Sequence, residues 1–141
     1  MSTTVTSFSQ LSPAIQGHVV AAVGALLLGP VALRARKGSR VHRGAGYVWI
    51  TLMLIVAVTS VFIRDFQLPN LAGYTPIHLV TVMTFAGLGI AVAAVLRRDI
   101  RVHRRAMWST YLGGCVIAGL FTLLPGRFLG QLLWGQALGW V

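Results

Sequence analysis

Four residues stand out for the chemistry they offer: His18, His42, His78 and His103. Neutral imidazole is a proton carrier and the commonest metal ligand among side chains. The four are ordered by an internal repeat. Arg40-Val41-His42-Arg43-x-Ala45 recurs as Arg101-Val102-His103-Arg104-x-Ala106, His18-x-Val20 recurs as His78-x-Val80, and Gly29 falls opposite Gly89. A single histidine at a helix end is ordinarily an interfacial or capping residue. All four, repeated in two halves, point instead to a bound cofactor or metal.

The elements that must position them are set by composition. The chain has 141 residues, 56% of them apolar and only 10% charged, with twelve Lys/Arg against two acids. That is room for one domain, residues 1–141, and far too little polar surface for a soluble one. Four apolar runs, 15–33, 47–63, 79–96 and 107–124, contain no Lys, Arg, Asp or Glu. Each matches the 17–25 residues a helix needs to cross about 30 Å of hydrocarbon. They show no period-2 alternation, and lipid demands internally satisfied backbone, so helices are expected. With their flanking turns the spans are about 15–33, 44–63, 77–96 and 104–124. The expected fold is all-α: an integral membrane four-helix bundle built from two parallel helix–loop–helix repeats, related by an axis along the membrane normal. Residues 128–141, apolar with Trp134 and Trp140, form a short interfacial C-terminal segment.

Charge placement gives the orientation. Arg34, Arg36, Lys37, Arg40 and Arg43 separate spans one and two; Arg97, Arg98, Arg101, Arg104 and Arg105 separate spans three and four. By the positive-inside rule these loops are cytoplasmic and both termini lie outside, as expected for a multi-pass protein of the inner membrane. The basic balance therefore needs no nucleic acid partner. Met1-Ser2-Thr3-Thr4 lacks the basic start of a signal peptide. The lone Cys115 rules out an intrachain disulfide or a cysteine zinc site and is expected to pack.

This topology sorts the histidines into two layers, His18 with His78 near the outer face and His42 with His103 near the inner, roughly 20–25 Å apart. Two imidazoles at one depth, donated by different helices, are the axial set of a six-coordinate b-type haem. Two haems are expected. Small residues follow each histidine by three (Ala21, Ala45, Thr81, Ala106), with Gly29, Gly89 and Gly114 eleven on. They suit a flat ring wedged between helices, and equally suit plain helix packing in lipid. Arg43 and Arg104 beside the inner histidines, and Arg64 and Arg127 on the outer side, are candidate partners for haem propionates. Topology alone also accounts for Arg43 and Arg104, and Asp65 competes for Arg64. Tyr47, Trp49, Trp108 and Tyr111 are expected chiefly as interface anchors.

The elements His18, Arg36-Lys37-Gly38, His42-Arg43-x-x-Gly46, His78, and His103-Arg104-x-x-Met107 with Pro125-x-Arg127 resemble an uncharacterised bacterial membrane family, domain of unknown function 2306, over about residues 15–127. That resemblance implies no activity. Separately, four histidines on successive helices, paired first with third and second with fourth, resemble the transmembrane dihaem cytochromes b of the ascorbate-reducible type. This implies two haems and transmembrane electron transfer, with axial roles on His18, His78, His42 and His103. The chain departs from that family in lacking flanking helices and a local ascorbate motif.

The expectation is a minimal dihaem cytochrome b, a membrane oxidoreductase or electron carrier without catalytic acid, base or nucleophile. Quinone, an ascorbate-like reductant or ferric iron would be its redox partners, the bilayer its solvent, and a homo-oligomer its assembly. Two other classes stay open. A metal- or haem-handling assembly protein would use the same histidines with exchangeable ligation. A non-catalytic membrane partner subunit would use them as polar glue between helices.

Overall fold

In the computed structural model, residues 8–63, 71, 74, 77–124, 127–131 and 133–134 are described. The described chain is helical, apart from an isolated bridge between Leu71 and Tyr74. A 3-10 turn, Phe8–Gln10, leads into α1 (Pro13–Arg34), followed by α2 (Arg40–Phe62), α3 (His78–Leu96) and α4 (Ile100–Tyr111). A π-helical stretch, Leu112–Ile117, joins α4 to the short α5 (Ala118–Thr122), and α6 covers Phe128–Gln131.

Polar caps start α1, α2 and α4. Ser12 Oγ accepts from the Ile15 amide, Ser39 Oγ from His42, and Asp99 Oδ1 from Val102. Each such cap contributes about 1 kcal/mol. Lys37 closes α1 by donating its Nζ to the Leu33 carbonyl at 2.7 Å. Burial first, and then the neighbouring Arg104 guanidinium, hold the Lys37 ammonium below its ordinary range. The first turns of α2 and α4, with the His42 and His103 rings 6.3 Å apart, set the two basic loops side by side at one end of the molecule. At the end of α3, Arg98 adopts a left-handed φ of 60° while Asp99 N–H reaches back to the Ala94 carbonyl at 2.8 Å. This reversal usually belongs to glycine.

Three helices, α1, α2 and α3, are long and apolar enough to cross a membrane. At 1.5 Å per residue each reaches about 30 Å. Their outward faces are apolar too: Leu27 is 70% exposed, Phe62 72% and Met83 64%. A surface of that kind belongs against lipid. The fourth expected span, 104–124, is not one regular helix. Its Gly113-Gly114 pair lies inside the π-helical stretch, which leaves α4 only 12 residues long.

α1 packs on α2 and α4, and α3 packs on α2 and on α4 with its π-helical extension. Ala25, Trp49, Met53, Leu88, Ala91, Ala106, Met107, Tyr111 and Cys115 make one core. Small residues set the close approaches. A Cβ on Gly29 would strike the Tyr111 ring, and one on Gly87 would strike Thr110. Pro30 lacks an amide proton, so the Leu26 carbonyl four residues back has no helical donor. The Tyr111 hydroxyl takes that place, donating to Leu26 O at 3.2 Å. Gly29 makes the room, Pro30 frees the acceptor, and Tyr111 fills both.

Candidate functional site

At the basic end, the Ser39 cap places His42 in the first turn of α2, where a side chain leans back toward the helix N-terminus. It thereby meets the last turn of α1, and Nδ1 lies 2.9 Å from the Ala32 carbonyl. α1 ends at Arg34, so Ala32 is among the four residues whose carbonyls lack helical donors. His103, in the first turn of α4 after the Asp99 cap, places its Nδ1 2.9 Å from the Ala91 carbonyl. A carbonyl only accepts, so both Nδ1 atoms donate, and in the neutral imidazole each Nε2 keeps the lone pair. That tautomer, fixed by a backbone carbonyl, is how proteins orient imidazole for a metal.

The two rings are neighbours in an edge-to-face arrangement. Their centres are 6.3 Å apart and their planes cross at 88°. Metal–imidazole bonds run about 2.0–2.1 Å and a ring nitrogen lies about 1.1–1.2 Å from its ring centre, so two imidazoles in line across one metal hold their centres about 6.2–6.6 Å apart. The observed separation falls in that interval. Both histidines are half-buried. One turn on from His42, a Gly46 Cβ would meet nothing within 4 Å. His42 thus joins the α1 C-terminus to a second imidazole, more than capping requires.

The opposite end is built differently. His18 Nδ1 is shared between the Val56 carbonyl at 3.1 Å and Thr59 Oγ1 at 3.0 Å. His78 turns its other nitrogen: Nε2 donates to the Ile63 carbonyl at 3.0 Å, and its ring meets Tyr74 edge-on at 5.0 Å. Among the described residues, each ring is tied to the end of α2 rather than to the other ring. Between them, Ser60 Oγ and Thr81 Oγ1 are hydrogen-bonded at 2.8 Å. His18 lies fourteen residues before Ala32 on α1, which separates the layers by about 21 Å along that helix.

Of the candidate guanidinium groups, Arg43 and Arg104 are exposed at the basic end. Arg127 is half-buried, and its backbone N–H donates to Leu124 O. Arg64 and its neighbour Asp65 lie outside the described residues, as do residues 135–141 of the expected tail. Within that tail Trp134 donates its indole N–H to the Leu123 carbonyl at 2.7 Å.

Two expected anchors are core residues instead. Trp49 is 1% exposed and donates its indole N–H to Ala25 O at 3.0 Å; Tyr111 is buried with it, ring centres 6.5 Å apart. Trp49 follows His42 by seven residues, two turns on the same face, so helical spacing gave a signal for its burial. Tyr47 and Trp108 are exposed, as anchors are. Gly29 and Gly114 pack against Tyr111 and Met53, whereas Gly89 meets nothing within 4 Å and Gly87 packs in its stead.

Among the described residues no group of three or more His, Cys, Asp or Glu is placed to hold a metal ion. Two imidazoles complete an iron centre only when the rest of the coordination comes with the ligand, as it does with a porphyrin. No curated protein and no solved structure matches the chain. A family model does match, over residues 15–125, and by it the chain belongs to the family described as "Predicted membrane protein (DUF2306)".

Proposed function

We propose that this membrane protein is a b-type cytochrome that passes single electrons, with His42 and His103 as the axial ligands of a haem at the basic end. The observation that carries the proposal is the pair of neighbouring imidazoles, centres 6.3 Å apart, each with Nδ1 tied to a carbonyl. Haem supplies one-electron exchange at its iron. The chain supplies axial nitrogens, fixed tautomers and a low-dielectric setting. Arg43 and Arg104, each adjacent in sequence to an axial histidine, are the side chains for the propionates. The segment running from α4 through α5 is the fourth span in this proposal. It completes a bundle of two parallel halves with the basic loops on the cytoplasmic side of the inner membrane.

A second haem between His18 and His78 extends the proposal across the bilayer. It has weaker support, because His78 gives Nε2 to Ile63 and must exchange ring edges before that nitrogen meets iron. Transmembrane transfer to or from a quinone, an ascorbate-like reductant or ferric iron rests on this second site. Haem or metal handling is the reading that remains if only the basic-end pair binds, exchangeably.

The test is the visible spectrum of detergent-purified protein, expressed with ample haem, before and after dithionite. A Soret band with sharp reduced α and β bands is expected, and His42→Ala and His103→Ala should each remove the basic-end haem, leaving at most the contribution of a second. Size-exclusion chromatography reports whether each variant is folded. A folded, colourless wild-type protein, or a haem content per chain that His42→Ala leaves unchanged, overturns the proposal.

A further inference from the structure

On the outer face of α4 a groove of about 470 Å³ is lined by Ile100, Arg101, Arg104, Arg105 and Trp108. The spacing i, i+3, i+4, i+7 puts the three guanidinium groups and the indole on one stripe. The other face of α4, with Ala106, Met107, Thr110 and Tyr111, is buried, so this stripe looks away from the protein. Trp108 stands two turns along from Arg101, about 10 Å farther from the basic end. The two depths match those of a phosphate layer and of the glycerol region beneath it, where tryptophan concentrates.

The chain itself offers these cations almost no anion. Its only acids are Asp65 and Asp99, and Asp99 uses Oδ1 to cap α4 through the Val102 amide. Ten of the twelve Lys/Arg belong to the two adjacent basic loops, and Lys37 already feels Arg104 as a repelling neighbour. Counter-anions must therefore come from outside. A second groove, lined by Pro30, Val31, Arg34, Ala35 and Val41, is of similar size but has one guanidinium and no aromatic. It provides an internal control.

We propose that the α4 groove is a binding site for the phosphate headgroup of an anionic membrane phospholipid. Arg101 and Arg105 hold the phosphate oxygens, with Arg104 adding to the positive field between them, and Trp108 packs against the glycerol backbone. Planar guanidinium groups suit this task because each can present two N–H donors to one phosphate.

The experiment is native mass spectrometry of the full detergent-purified chain titrated with phosphatidylglycerol or phosphatidylcholine. Retention of phosphatidylglycerol over phosphatidylcholine is expected. Arg101→Gln with Arg105→Gln should weaken that binding about thirtyfold, the worth of two juxtamembrane cations. Arg34→Gln with Arg36→Gln, the same charge removed from the other loop, should leave it nearly unchanged. Arg101→Lys with Arg105→Lys keeps the charge and safeguards folding, and should still weaken binding because lysine lacks the fork. Equal losses in the two Gln pairs, undiminished binding in the Lys pair, or displacement of the lipid by equimolar inorganic phosphate would each overturn the proposal. The last result would reassign the groove to a soluble anion.

Discussion

The basic end and the opposite end carry the same residue type in the same repeat, yet the structure uses them in opposite ways. At the basic end His42 and His103 give Nδ1 to the carbonyls of Ala32 and Ala91 and bring their rings together. At the other end His18 and His78 present different nitrogens to carbonyls of α2 near its C-terminus. The difference follows from the helix ends each pair meets. His42 finds an orphan carbonyl across a five-residue connection, which fixes its edge. His18 lies six residues inside α1 and finds Thr59 beside a carbonyl of α2. Equivalent positions in a repeat thus specify depth but leave the exposed nitrogen to local partners.

The largest effect that would sharpen this contrast concerns chromophore binding. His42→Ala should abolish the axial pair at the basic end, whereas His18→Ala should leave its spectrum intact. Loss of the basic-end spectrum in both variants would erase the distinction between the ends. Packing gives the next effect. Gly29→Val forces a side chain into Tyr111 and should destabilise by about 1–3 kcal/mol or more. Gly89→Val, its counterpart in the repeat, faces open space and should shift the thermal midpoint little. A scanning fluorimetry comparison in one detergent decides it, and comparable losses would refute the packing difference.

A smaller and more specific effect involves one hydroxyl. Tyr111→Phe leaves the Leu26 carbonyl without its donor, at a cost of about 1–3 kcal/mol. Pro30→Ala restores a helical amide to that carbonyl, so the loss should shrink in the double variant. A strictly additive cycle would show that the hydroxyl and the proline act separately. The smallest effect is electrostatic. Lys37 is the only lysine in the chain and titrates below its ordinary range. Its neutral form is thus favoured in the fold, so stability should rise with pH between the folded and unfolded pKa values. Arg104→Gln should move the Lys37 midpoint upward, read by NMR of its isotopically dimethylated amine. An unmoved midpoint would separate the two basic loops.

Much of the fold was legible because the bilayer simplifies it. Runs without charge gave α1, α2 and α3, while the caps Ser39 and Asp99 that start α2 and α4 emerged only with the structure. The fourth segment was legible as apolar but not as irregular, since Gly113-Gly114 signals a weak point without saying whether the turn widens there. The burial of Trp49 against Ala25 was obscured by the habit of tryptophan at interfaces. Gly87 was passed over for Gly89 because the repeat and the eleven-residue spacing from His78 both select Gly89, whereas it is Gly87 that meets Thr110.

The sequence alone determined that this is a membrane protein with a doubled pattern of imidazoles and its cations gathered in two loops. Hydropathy and charge act over whole segments and need no partner to be read. Only the tertiary structure decided which histidine edges are bound, which pair of rings meets, and which glycine admits a neighbour. Those outcomes depend on carbonyls and side chains ten to eighty-five residues away, brought within hydrogen-bonding distance by packing.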